Sequence, residues 1–158
     1  MSTHPGPRLA KVMDQEIETA QTLLETLQDE TDALGQDPET LQRVASRKQD
    51  LVHRMEGLHS QRCTLLQQSG CETSRAGLER FIGRFDHGQR LQIRWRRLVE
   101  LTERCRDANL SNGAAVELGR LHLRQALAVV HGHSPQTVTY GASGEGQTSG
   151  VSRILAKA

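Results

Sequence analysis

A chain of 158 residues is long enough for one compact core and short for two. With 35% apolar, 3% aromatic and 25% charged residues, the composition argues for helices and against β-rich folds, which draw on aromatic and β-branched side chains. A net charge of +1 excludes a bulk field that would pull the whole molecule onto nucleic acid or an anionic membrane, so any electrostatic partner has to be met by a local patch.

The opening MSTHPGPRLAKVMDQ has no apolar core of an export signal, and no run of about 18 apolar residues occurs in the chain, so neither a secretory leader nor a membrane span is expected. Cys63, Cys71 and Cys105 are odd in number and lack a CxxC spacing, which fits reduced thiols and a cytoplasmic location.

The first helical pattern runs from about Leu9 to Leu34. Met13, Ile17, Ala20, Leu24, Leu27, Thr31 and Leu34 step alternately by four and three, the a/d seam of a coiled-coil-like helix. Gly35 suits the left-handed residue that ends a helix, and Asp37, Pro38 and Glu39 suit the cap and first turn of the next. So short a connection makes the two helices antiparallel neighbours.

The second pattern carries Leu41, Val44, Lys48, Leu51, Met55, Leu58, Arg62 and Leu65 on its seam and closes at Gly70, with Thr73 or Ser74 as the next cap. Lys48 and Arg62 on that seam either hold register against an acidic partner or snorkel from its edge, and snorkelling is the favoured reading. A short apolar segment around Leu78, Phe81, Ile82 and Phe85 follows, and Gly83 and Gly88 allow a break. Residues 76–85 are open between a separate short helix and the start of the next long one.

From there Leu91, Trp95, Leu98, Thr102, Cys105, Asn109, Asn112, Val116, Gly119, Leu123, Ala126 and Val130 keep the same rhythm. A helix from Gly88 to His131 would be on the order of 65 Å long, which predicts an elongated bundle of about three long helices. Gly132 and Pro135 end it. The sequence thus divides into an all-α antiparallel bundle over residues 1–132 and a Gly-, Ser- and Thr-rich flexible tail over residues 133–158, with too few apolar groups to repay ordering.

Asn109 and Asn112 are the least expected seam residues, since an amide buried without partners costs roughly 1–3 kcal/mol. They either set helix register or face a groove left open for a partner helix. Ala108, Gly113, Ala114, Ala115 and Gly119 are small enough to admit another helix closely, whether from outside or from the bundle itself. Between Val12 and Gln42 the chain has acidic residues and no Lys or Arg, whereas arginines cluster at 80, 84, 90, 94, 96 and 97, so the two regions complement each other.

No catalytic residues, cofactor or metal site are expected. The chain lacks a Ser-His-Asp order with supporting turns, a GxxxxGK[ST] loop and an HExxH. His131 and His133 at a helix end make an incomplete metal site, and His53 and His59, six apart, leave a common helix face. Nucleic acid is disfavoured because Trp95 lies on the seam and the acidic first helix neutralises the arginines.

The order of motifs carries a resemblance. RKQDLVHRMEGLHSQRCTLL in the second helix, then NLSNGAAVELGRLHLRQALAVV, then TVTYGASGEGQTSG resembles the FlgN family of bacterial flagellar export chaperones, best from about Leu98 to Gly150. The resemblance implies a cytosolic helical chaperone that binds the hook–filament junction proteins FlgK and FlgL, prevents their early association, and delivers them to the flagellar type III export gate. It places client binding in the carboxy-terminal part and associates the tyrosine of the YG segment, here Tyr140 followed by Gly141, with docking on the gate protein FlhA.

Reading the residues beside that resemblance, Val116, Leu123, Ala126, Leu127 and Val130 are the candidate client contacts, with Asn109 and Asn112 fixing register. Val151, Ile154 and Leu155 have the spacing of a short amphipathic helix that folds on a client or back onto an empty groove. The alternative is a structural or regulatory coiled-coil adaptor that works through its helical faces alone.

Overall fold

The computed structural model describes residues 4–131, so the readings that fall on Gly132, Tyr140, Gly141, Val151, Ile154 and Leu155 lie outside the described residues. Within them the fold is all-helical: α1 Pro5–Ala33, α2 Pro38–Gln68, α3 Arg75–Phe85 and α4 Leu91–Val130. Three are long, as the seams predicted, and residues 75–85 form a separate short helix.

α1 begins four residues before the apolar rhythm does. Pro5 occupies the first helical position and Pro7 the same first turn, where a missing N–H leaves no hydrogen bond unmade. At the other end Gly35 has φ +86, the left-handed conformation predicted for it. The Asp37 carboxylate then caps α2 by accepting from the Thr40 N–H at 2.9 Å.

α2 runs back along α1, since Glu16 meets Arg62 and Glu30 meets Lys48. α4 runs parallel to α1 on its other side: Cys105 donates from Sγ to the Ala20 carbonyl at 3.3 Å, and Asn112 reaches the Leu27 carbonyl. α1 is therefore the central helix. It buries both flanks, Leu9, Met13, Leu23 and Leu27 among them, rather than the single seam its rhythm suggested.

α3 closes the end of the bundle where α2 arrives and α4 departs. Its Leu78, Phe81 and Ile82 join the core with Leu91, Leu98 and Leu101 of α4 and Leu65 and Leu66 of α2. Ser74 caps it, accepting from the Gly77 N–H at 3.1 Å. Gly77 is also a close approach, because a Cβ there would stand 1.9 Å from the Glu72 carbonyl oxygen.

α4 starts at Leu91, three residues later than expected. Gly88 and Arg90 both have positive φ, +79 and +52, and Asp86 turns back to accept from the Leu91 N–H at 3.0 Å. The cap thus comes from the end of α3, not from the residue at the helix edge.

The snorkelling reading of Lys48 and Arg62 is corrected. α1 places Glu16 and Glu30 in the facing layers, so both cations bond across the helix interface. Arg62 is buried and its guanidinium also lies 5.2 Å from the centre of the Trp95 ring. A buried indole covered by this bundle's own arginine has no face left for a nucleic-acid base.

Candidate functional site

The body of the bundle ends at Asn112. Its Nδ2 donates to the Leu27 carbonyl at 2.9 Å and to Glu30 Oε2 at 3.0 Å, and its Oδ1 accepts from the Thr31 hydroxyl at 2.6 Å. Glu30 in turn binds Lys48 of α2. One polar layer, Lys48–Glu30–Asn112–Thr31, thereby joins all three long helices.

Every polar atom of the buried amide is engaged, which resolves the alternatives left by the sequence. Asn112 sets the register of α4 against α1, the first of those alternatives, and the second, a groove left open for a partner helix at this residue, is corrected. Asn109, one turn earlier, is half-buried.

α1 stops at Ala33, just past this layer, and α2 begins at Pro38. α4 continues. Residues 113–130 add about five turns, on the order of 27 Å of helix, beyond the last layer. The seam that upstream carries Leu98 and Cys105 runs on through Val116, Leu123, Ala126, Leu127 and Val130, but every one of these is exposed, the four large ones from 38% at Val116 to 79% at Val130.

The small residues of this stretch divide at the same boundary. Ala108 packs against the core, whereas Gly113, Ala114, Ala115 and Gly119 are exposed, so they are not contacts between the bundle's own helices. Nothing crowds Gly113 or Gly119 within 4 Å of a Cβ position. A helix of this length that keeps its apolar rhythm after losing its partners presents a ready surface for another amphipathic helix.

A second apolar set escaped the sequence reading. Leu110, Leu118, Leu121 and Val129 are also exposed. At roughly 100° per residue Leu121 lies on the side of the arm opposite Leu123. The signal was present in the spacing of 110, 114, 118, 121 and 128, but a single seam traced along α4 passes between these positions.

The charge complementarity foreseen between the first helix and the arginine cluster is realised at one cross-helix pair. Arg94 donates from Nε to Asp14 at 2.7 Å, and this bond holds its guanidinium pKa above the usual value. Arg75, Arg80 and Arg97 pair instead with nearby Glu79, Glu72 and Glu100. Among the described residues no group of three His, Cys, Asp or Glu side chains is arranged to hold a metal ion, and no helix is long and apolar enough to cross a membrane. His131 turns its ring nitrogen to the Leu127 carbonyl at 2.7 Å.

Comparison with known proteins agrees with the all-helical fold. The family model described as FlgN protein matches residues 6–148. The crystal structure of a Pseudomonas aeruginosa protein described as a flagella synthesis protein FlgN is 33% identical, with a TM-score of 0.63 over 68% of this chain and 85% of that one. No curated protein matches.

Proposed function

The chain belongs to the FlgN family, and from that premise we propose that it is a flagellar export chaperone acting in the cytoplasm. Its clients on this reading are the hook–filament junction proteins FlgK and FlgL, whose terminal helices it keeps apart until they reach the type III export gate. The observation that carries the proposal is the unpartnered seam of the arm: Val116, Leu123, Ala126, Leu127 and Val130 continue the rhythm of a packed helix with nothing packed on them.

The physical logic is substitution. An amphipathic client helix laid on this seam exchanges two wet apolar stripes for one buried interface, and each large side chain so covered is worth about 1.5–3 kcal/mol. Asn112 holds the arm in register with the body, so the seam is presented at a fixed angle rather than on a loose strand of chain.

Tyr140 and Gly141 are proposed to dock on FlhA, and Val151, Ile154 and Leu155 to add client contacts, each on the strength of the family pattern and their spacing. Division of labour follows: the arm, helped by Val151, Ile154 and Leu155, holds the client, and Tyr140 and Gly141 serve delivery.

The test is titration of the full chain with the terminal helical segments of FlgK and FlgL and, separately, with the cytoplasmic part of FlhA. Leu123→Asp and Leu127→Asp should weaken client binding at unchanged helix content, and Tyr140→Ala should weaken FlhA binding alone. Should removal of residues 134–158 leave both interactions intact, the assignment of Tyr140, Gly141, Val151, Ile154 and Leu155 fails and a coiled-coil adaptor becomes the better reading.

A further inference from the structure

The second apolar face of the arm, left uncovered by both the bundle and the proposed client seam, reads as one half of a symmetric contact. We propose that residues 110–129 pair antiparallel with the same segment of a second copy of this chain, through Leu110, Ala114, Leu118, Leu121 and Val129, leaving the Val116–Leu123–Leu127 face free. The inference goes beyond the chaperone reading and does not depend on what occupies that other face.

Self-complementarity carries it. On a heptad, Ser111, Leu118 and Gln125 take one core position and Ala114, Leu121 and Ala128 the other. Placing the two-fold axis between Gly119 and Arg120 sets Leu118 against Leu121 of the second copy and Leu121 against Leu118, so the two bulkiest layers are adjacent and central. The longer Gln125 meets Ala114, while Leu110 and Val129 border the two ends of the core, Leu110 on the Glu117–Arg124 flank and Val129 on the other. Leu118 and Leu121, exposed in the single chain, are then covered, with Leu110 and Val129 shielded at its edges.

The flanking charges agree with the same register and no other element is needed to explain them. Glu117 and Arg124 occupy equivalent flanking positions one heptad apart, and antiparallel pairing brings each beside its opposite on the second copy, twice by symmetry. Within one chain Glu117 is bonded to Arg120 at 2.9 Å in a pair with both side chains mostly exposed. Such a contact is weak enough to be exchanged. The other flank carries Ala115, His122 and Val129 and no acid–base conflict. The client seam offers no comparable match, since Gly119 lies at its middle and Arg120 beside it.

The opposite side of α4 faces α1 along the body, so a second helix alongside residues 110–129 meets no element of its own bundle there. Leu110, the first residue of the stripe, is already exposed beside half-buried Asn109.

Sedimentation equilibrium of the full chain tests this. A concentration-dependent dimer is expected, and Leu121→Asp should give a monomer with unchanged far-ultraviolet circular dichroism, while Leu123→Asp leaves the dimer intact. Glu117→Arg alone, or Arg124→Glu alone, should weaken the dimer by about tenfold or more through like-charge contact, and the double exchange Glu117→Arg with Arg124→Glu should restore it. A chain monomeric throughout, a dimer lost on Leu123→Asp but not on Leu121→Asp, or an exchange variant no tighter than either single variant would overturn the proposal. Client titration of the Leu121→Asp variant separates the two ideas, because the client reading requires that binding survive there.

Discussion

Arg62 donates from Nε to Glu16 Oε1 at 3.1 Å across the α1–α2 interface, with the two side chains only 8% and 1% exposed. Glu16 Oε2, also buried, has no hydrogen-bond partner. The Arg62 NH2 group lies 3.0 Å from His59 Nδ1, a contact that requires that nitrogen to accept. The pair is thus well placed to fix the register of the two helices and poorly satisfied for stability, because taking both charges out of water offsets much of their attraction.

Removing one partner should therefore cost far more than removing both. Arg62→Met is expected to lose about 3–5 kcal/mol, since it strands a buried carboxylate, whereas Glu16→Leu combined with Arg62→Met should approach or exceed native stability. Urea denaturation of the two variants checks this. Burial already raises the Glu16 pKa above 4.5 against the pull of Arg62. A raised folded value favours the folded state below 4.5 and loses that contribution as pH rises through it. The deficit of Arg62→Met should accordingly be largest at neutral pH and shrink on acidification.

Asn112 should behave as a register lock. Asn112→Ala removes the donor to Leu27 and Glu30 and leaves the Thr31 hydroxyl with its own helix carbonyl at Leu27. A loss of about 1–3 kcal/mol in urea denaturation is expected. Hydrogen exchange should show the loosening confined to the end of α1 and the facing middle of α4, around Leu27–Ala33 and 109–116. Loss of protection spread evenly through α2 and α3 would contradict a local lock.

Much of this fold is legible in the sequence. Met13, Ala20, Leu24 and Leu27 on α1, Met55, Leu58 and Leu65 on α2, and Leu91, Trp95, Leu98 and Cys105 on α4 are buried where the four-three rhythm puts them. Gly35, Asp37 and Pro38 marked their turn because each has a local backbone reason to be there. What escaped depends on pairing between distant segments. Whether Arg62 snorkels or meets Glu16 is decided by a register set between residues 46 apart, and helix periodicity carries no such information. Likewise the rhythm of α4 does not reveal that α1 ends beside Asn112, so the same pattern reads as core on one side of that residue and as open surface on the other. Leu118 and Leu121 fall outside the seam of α4 because this stretch of the helix carries two apolar faces.

The three thiols should separate by burial. Cys105 is fully buried, its Sγ bonded to the Ala20 carbonyl, and burial pushes its pKa up to about 11. Cys63 and Cys71 are half-buried. The thiolate is the reactive form, so Cys105 is protected both by access and by protonation. Titration with a disulfide reagent at pH 8 should modify Cys63 and Cys71 in the native protein, and Cys105 only after denaturant is added. Early reaction of Cys105, followed by mass mapping, would show that α1 and α4 separate readily.

The cap at Asp37 gives α2 an acid-sensitive start. Hydrogen bonds from the Thr40 hydroxyl and the Thr40 N–H hold the Asp37 carboxyl below its ordinary 3.8. A depressed folded value means the cap's stabilisation is complete above 3.8 and is lost as pH falls through the folded value, when the carboxylate takes up a proton. Asp37→Asn keeps an oxygen for the Thr40 N–H but has nothing to protonate. Nuclear magnetic resonance of the Thr40 amide should therefore show a shift on acidification in the wild type that is absent in Asp37→Asn, while Asp37→Ala lacks the capped shift at every pH. The turn carrying this cap joins α1 to α2 just beyond the Asn112 layer, so fraying here should reach Lys48 and Glu30 before it reaches Glu16 and Arg62. A wild-type Thr40 resonance that ignores pH down to the acid limit of folding would mean that the carboxylate is not what holds the first turn of α2.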